Sequence, residues 1–139
     1  SRKENLHFIE TDAITIAEIK QKVKELKTKN KIDVLIVDHI GKIKSTTKGN
    51  RYEQMTVISN ELKRIAIEFD INVTALCQLS RGCEQRGDKH PMLSDLRDTG
   101  AIEEDADNIL LLYRDGYYNE LEPGQNDVLE VEIIILPVS

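Results

Sequence analysis

The stretch "DVLIVD", residues 33 to 38, sets four consecutive aliphatic side chains between two carboxylates. A near-continuous apolar run of that length suits a strand covered on both faces, the situation of a strand inside a parallel sheet. Upstream, "TIAE" offers Thr15 as N-cap with Glu18 three positions on, a capping box that opens a helix. Ile16, Ile19, Val23 and Leu26 fall on one face of that helix, and the lysines between them face water. Before it, "LHFIE" (6 to 10) is a short strand candidate. Downstream, a Gly, Lys, Ser and Thr loop (41 to 50) leads into a helix from about Tyr52 to Phe69, striped by Met55, Ile58, Leu62, Ile65 and Phe69. "NVTALC" (72 to 77) is the next buried strand, residues 78 to 100 are polar and irregular, and "NILLLYR" (108 to 114) and "LEVEIII" (129 to 135) are two more strands. No internal repeat is present. Strands alternating with helices predict an open α/β sheet whose ligands sit beyond the carboxyl ends of its strands.

At 139 residues the chain suits one α/β domain with a modest core. Hydrophobic residues at 40% and charged residues at 32% are ordinary for a globular protein and unlike a disordered one. No apolar run approaches the roughly 20 residues that cross a bilayer. "SRKENLHFIE" lacks the apolar core of a signal peptide, so a cytoplasmic protein without a membrane partner is expected. Cys77 and Cys83 have neither CxxC spacing nor the density of a disulfide scaffold and read as reduced thiols. The net charge of −6, from 19 basic and 25 acidic residues, does not attract nucleic acid, so any such contact must be local.

Asp38 is the first chemical candidate, because an aspartate closing an apolar strand can hold Mg²⁺ beside nucleotide phosphates. Taken alone, such an aspartate is more often a turn residue or a helix cap. Gln78 closes the following strand in the same way; its amide could sense a terminal phosphate or orient water, although a polar residue leaving a sheet is the commoner case. The chain contains no GxxxxGK[ST] loop, and Gly41-Lys42 follows the aspartate strand instead of joining a strand to a helix. Lys42, Lys44, Lys48 and Arg51 crowd the 41 to 51 loop without an acid, which fits a solvated loop better than a binding patch. His7, His39 and His90 lack metal-ligand spacing, and Tyr113, Tyr117 and Tyr118 suit packing and anchoring more than base stacking. The formal glycosylation triplet at Asn72 falls on a strand that reads as buried and is dismissed.

The run from Ala75 to Asp115, "ALCQLSRGCEQRGDKHPMLSDLRDTGAIEEDADNILLLYRD", resembles the core of the bacterial DnaB-type replicative DNA helicases, hexamers with a RecA-like motor domain. The likeness reaches back through "YEQMTVISNELKRIAIEFDINV" and "IDVLIVDHI" to the first helix and weakens after about Glu120. It implies a RecA-like, open, mostly parallel sheet flanked by helices and incomplete on its N-terminal side, with residues 1 to 139 forming the C-terminal portion of the motor domain. It implies ATP and Mg²⁺ as cofactors of the parent protein, and single-stranded DNA, a homo-hexamer, a helicase loader and primase as partners. Asp38 matches the Walker B aspartate that holds Mg²⁺ directly or through water, and Gln78 the glutamine that couples nucleotide state to the DNA loops. Arg97, Asp98 and Gly100 match the loop that grips single-stranded DNA in the central channel; Arg81, Glu84, Gln85, Arg86 and Lys89 match an adjoining loop that lines it.

A motor that must hold any sequence is expected to grip phosphates with an arginine and backbone N–H groups, and Gly100 would allow close approach or a positive φ. Between Gln78 and Gly100 four basic residues (Arg81, Arg86, Lys89, Arg97) meet four acidic ones (Glu84, Asp88, Asp95, Asp98), which predicts weak binding per subunit and avidity in a ring. Glu103, Glu104 and Asp105 are expected in the first turn of a short helix, complementing its dipole.

The chain departs from the family at several points. The phosphate cradle and the water-activating glutamate would lie before Ser1, and the family's trailing Lys-x-Arg segment is replaced by "PVS" at 137 to 139. His39 stands where the family has Tyr. The isolated chain is therefore expected to be inactive. Another RecA-like ATPase, or a non-hydrolysing interaction module derived from a helicase, is the alternative reading.

Overall fold

The computed structural model of the chain describes residues 6–11, 13–29, 32–114, 116 and 131–137; the side chains of residues 97–99 and 137 lie outside what it describes. Its contacts divide it into two compact units, 1–78 and 79–139.

The first unit runs β1 (Ile14–Thr15), α1 (Ile16–Lys29), β2 (Val34–Val37), β3 (Ile43–Lys44), α2 (Arg51–Phe69) and β4 (Asn72–Ala75). β1 pairs with β3 and β2 with β4, both in parallel. The Thr15 box forms as the sequence predicts. The Thr15 N–H donates to Glu18 Oε2 at 2.7 Å, and the Glu18 N–H returns to Thr15 Oγ1 at 3.3 Å. α2 opens on a box of its own, Asn50 Oδ1 accepting from the Glu53 N–H at 2.9 Å while Glu53 Oε2 accepts from the Asn50 N–H at 3.0 Å. Gly49 precedes it with φ of 149°, and a Cβ there would collide with the Glu53 carboxylate. Only glycine meets both conditions. Asn50→Ala should lower stability by about 1 kcal/mol, read from the shift of the urea unfolding midpoint at constant m-value. α2 ends at Asp70, whose φ of 49° is left-handed, a conformation an aspartate tolerates better than most residues.

The core of this unit is the predicted pair of helix stripes. Ile19 and Val23 of α1 and Met55, Ile58, Leu62 and Ile65 of α2 are buried, joined by Ile40, Ile43 and Ile71. α1 packs on α2 and α2 on β4. Lys20 and Glu68 link the two helices at 2.6 Å, an exposed pair of the kind that adds little to stability.

Four expectations are corrected here. "LHFIE" is not a strand: residues 6–10 are exposed and unpaired, and the first strand is Ile14–Thr15, because those two residues can pair with Ile43–Lys44. The 41 to 50 segment is not all loop, since a 3₁₀ turn at Ile40–Lys42 and β3 occupy its start and Arg51 Nη2 donates to Gly41 O at 3.0 Å. β2 is not covered on both faces: Val34 and Ile36 are 51% and 65% exposed, while Leu35 and Val37 on the other face are half-buried. β4 is likewise mostly exposed, so burial is not what sets aside the Asn72 triplet.

The second unit contains a 3₁₀ turn at Arg81–Gln85, a longer kinked one at Leu93–Thr99, α3 (Gly100–Asp105), β5 (Asn108–Tyr113) and β6 (Glu132–Pro137). β5 and β6 pair antiparallel, Leu110 opposite Ile135 and Leu112 opposite Ile133. Ile109, Leu111 and Tyr113 are buried, whereas Leu110, Leu112, Ile133 and Ile135 stand exposed on the other face. Tyr117 and Tyr118 lie outside the described residues. α3 is so short that only Glu103 falls in its first turn; Glu104 and Asp105 sit at its C-terminal end, where the helix dipole does not favour them.

Candidate functional site

Register brings the carboxyl ends of β2 and β4 together. Val37 is opposite Ala75, the Leu76 N–H donates to Val37 O at 2.9 Å, and the Ile40 N–H donates to Leu76 O at 2.9 Å. β2 and β4 therefore end side by side and point the same way. Asp38 follows directly on β2; β4 stops at Ala75, two residues short of the strand expected through Cys77, so Gln78 lies three residues beyond its end and does not close it. Both are exposed, and the Asp38 carboxylate has no hydrogen-bond or ion-pair partner among the described residues. A carboxylate left unpaired beyond the carboxyl end of a parallel strand suits Mg²⁺, which takes one or two carboxylates and fills its other positions with phosphate oxygens and water. No cluster of three or more His, Cys, Asp or Glu side chains occurs among the described residues, so a metal held entirely by protein is not built here.

In the second unit, one of the residues expected on DNA loops, Arg86, is bound to Asp95. Its carboxylate is only 5% exposed, accepts from Arg86 Nη1 and Nη2 at 2.8 Å each, and also accepts the Met92 N–H at 2.8 Å. Arg86 Nη2 donates further to His90 O at 2.8 Å, and its Nε to Asp88 O at 3.4 Å. The Ser80 N–H closes the arrangement on Asp95 O at 3.0 Å. This bidentate pair holds the Asp95 carboxyl below the usual carboxylate range, against a smaller opposing push from burial, and raises the Arg86 guanidinium. Arg86 thus braces the loop with its planar fork, a role a lysine could not take.

The other expected residues divide by placement. Arg81 is exposed on the first 3₁₀ turn and Lys89 half-buried beside His90. Arg97 and Asp98 lie on the second 3₁₀ turn, and their side chains are outside the described set. Gly100 opens α3 with φ of −51° and ψ of −30°, ordinary right-handed helix, so its backbone here does not use the positive φ a glycine permits. Sequence reasoning counted Asp95 as one acid among several and passed over its role. An arginine and an aspartate nine positions apart in an irregular segment carry no periodicity that would betray a pair.

The α/β chain, with parallel strands that end side by side before an exposed aspartate, belongs to the RecA-like ATPase class of folds. The family model described as "DnaB-like helicase C terminal domain" matches residues 1–136. The chain belongs to that family. It is 42% identical over 132 residues to the replicative DNA helicase DnaC of Bacillus subtilis (strain 168), covering 94% of this chain and 28% of the relative. To the replicative DNA helicase DnaB of Geobacillus stearothermophilus it is 39% identical over the same shares. A probable replicative DNA helicase of Trieres chinensis is 41% identical over 91% of this chain. Among solved structures, one ATPase domain is similar with a TM-score of 0.84 at 34% identity, covering 98% of this chain and 52% of that one. A DnaB-like replicative helicase, described with its interactions with primase, has a TM-score of 0.80 at 35% identity, covering 93% of this chain and 34% of that one. The chain spans 28% of the length of the first two curated relatives.

Proposed function

We propose that residues 1–139 are the C-terminal portion of the motor domain of a hexameric replicative DNA helicase, which hydrolyses ATP to move along single-stranded DNA and unwind duplex at the fork. The reading is supported by the adjacent parallel ends of β2 and β4, with Asp38 directly after the one and Gln78 three residues after the other, in a chain of the DnaB-like family. In it, Asp38 holds Mg²⁺ directly or through water. The ion would neutralise charge developing on the transferred phosphoryl group. Gln78, an uncharged amide three residues past the end of the neighbouring strand, reports the presence of the terminal phosphate to the segment that begins at Leu79. Arg81, Lys89, Arg97 and Asp98, with Gly100, form the surface that meets single-stranded DNA, and Arg86 holds that surface in shape through Asp95. ATP, Mg²⁺, single-stranded DNA, a helicase loader and primase are the partners of the whole protein in this reading. The primase assignment is supported by the similar helicase described with its primase interactions. The cytoplasm is the proposed location; among the described residues no helix is long and apolar enough to cross a membrane.

A titration of the isolated chain with Mg·ATP and with a labelled single-stranded oligonucleotide at low salt tests this reading. Binding to the oligonucleotide should be weak, should fall steeply as salt rises, and should weaken about fivefold in Arg97→Ala, the loss of about one phosphate contact of roughly 1 kcal/mol. Mg·ATP should not bind measurably without a phosphate cradle. Tight ATP binding, or oligonucleotide binding indifferent to Arg97, would overturn the reading.

A further inference from the structure

His90 closes a short loop: Arg86 and His90 bracket Gly87, Asp88 and Lys89, and the imidazole reaches two carboxylates from different parts of the unit. Its Nδ1 meets Asp88 Oδ1 at 2.5 Å, its Nε2 lies 3.5 Å from Glu132 Oε2 on β6, and its ring stacks on Tyr113 of β5 with centroids 4.0 Å apart. Its own backbone N–H donates to Asp88 Oδ1 at 3.0 Å, and its carbonyl receives Arg86 Nη2. A neutral imidazole has one N–H and can donate to only one of the two carboxylates. The imidazolium donates to both, and its charge also favours the aromatic face beneath it.

We propose that His90, when protonated, is a positioning residue that clasps the 81–90 segment to the β5–β6 pair, so that the segment's hold on single-stranded nucleic acid weakens as His90 loses its proton. The nucleic-acid consequence rests on the function proposed above; the clasp itself rests on the Asp88–His90–Glu132 geometry and the Tyr113 stack. The charged and titratable groups facing the imidazole among the described residues are Asp88 on its own loop, Glu132 from β6 and Tyr113 from β5. Arg86 is bonded to its carbonyl and committed to Asp95, and Cys83, Lys89 and Arg114 line the pocket that adjoins Tyr113. The Asp88 hydrogen bond raises the imidazole above its ordinary 6.5, helped by the charges of Asp88 and Glu132 and opposed by partial burial. A raised value means that the clasp is complete below pH 6.5 and is lost as pH rises through the folded value above it.

Side-chain NMR of the 139-residue chain tests the clasp. His90 should titrate above the ordinary 6.5, and Glu132→Gln and Asp88→Asn should each bring its midpoint down. A His90 midpoint at or below 6.5 that is unmoved by both substitutions overturns the clasp. Oligothymidylate binding measured from about pH 6 to about pH 8.5 tests the consequence. Wild type should weaken by about threefold or more across that range, while His90→Lys, which keeps a cation throughout, should flatten the profile. Glu132→Gln separates positioning from direct phosphate contact by the sign of its effect at the acid end of the range. Losing the clasp weakens binding, whereas removing an anion beside a phosphate-bound imidazolium would strengthen it, and that result overturns the positioning role. Absence of oligonucleotide binding at every pH would sink the nucleic-acid reading of the preceding subsection, and the NMR midpoints would still decide the clasp.

Discussion

Asp38→Asn in the full-length protein that carries this segment should reduce ATP hydrolysis by about a hundredfold or more, measured as steady-state turnover at saturating Mg·ATP. The substitution keeps size and shape and removes one negative charge next to the position of a dication. A metal-bound carboxylate supports several kcal/mol of transition-state charge stabilisation, and each ~1.4 kcal/mol lost is a tenfold loss of rate. Folding should be nearly untouched, within about 0.5 kcal/mol, because the Asp38 side chain is exposed and takes no hydrogen bond or ion pair among the described residues. The pairing of a large loss of rate with an unchanged melting curve is what distinguishes a metal ligand from a turn residue. Turnover within about threefold of wild type would return Asp38 to the commoner role of a strand-ending turn residue.

Asp95→Ala should have the largest effect in the second unit, lowering the melting temperature of the chain by roughly 5 °C or more and abolishing most oligonucleotide binding with it. The carboxylate is almost fully buried and satisfies three donors at once, Arg86 Nη1, Arg86 Nη2 and the Met92 N–H. Removing it leaves the arginine fork and a backbone N–H without their acceptor, which costs more than removing both partners of a hydrogen bond. Arg86→Met, which removes the charge together with its demand for a partner, should destabilise less in the Asp95→Ala background than alone, and a double-mutant cycle reads that coupling. The pH dependence follows from the direction of the Asp95 shift. Its folded value is below the ordinary 3.8, so the stability it contributes is complete above that value and is lost as pH falls through the folded one. Acid unfolding of wild type should therefore steepen below about pH 4, and Asp95→Ala should lack that component. Identical acid limbs for the two proteins would contradict the brace.

The histidine and aspartate effects lie at opposite ends of the pH scale. His90 releases its clasp towards alkaline pH and Asp95 its brace towards acid, so the 81–90 segment should be held best between them. Both depend on contacts between residues that are polar, irregularly spaced and on different elements, which is where sequence patterns carry least information.

The sequence by itself determined the local elements whose signal is periodic or stereochemical: the stripe Met55, Ile58, Leu62, Ile65 of α2, the Thr15–Glu18 box, and the apolar strand followed directly by Asp38. Its extended likeness to the DnaB-like family is what proposes the chemistry for Asp38 and Gln78. Which faces of the strands are covered was decided by tertiary structure alone. Val34, Ile36, Leu110, Leu112, Ile133 and Ile135 are as aliphatic as their less exposed neighbours, so no alternation in the chain marks them as exposed. The start of the sheet likewise moved from "LHFIE" to Ile14–Thr15, because a strand exists only where a partner edge is available, and Ile43–Lys44 supplied it. Tertiary structure also assigned Arg86 to Asp95 and His90 to Asp88, Glu132 and Tyr113. Charge and composition count such residues without pairing them; a pair is fixed only when the folded backbone brings the two groups within reach of each other.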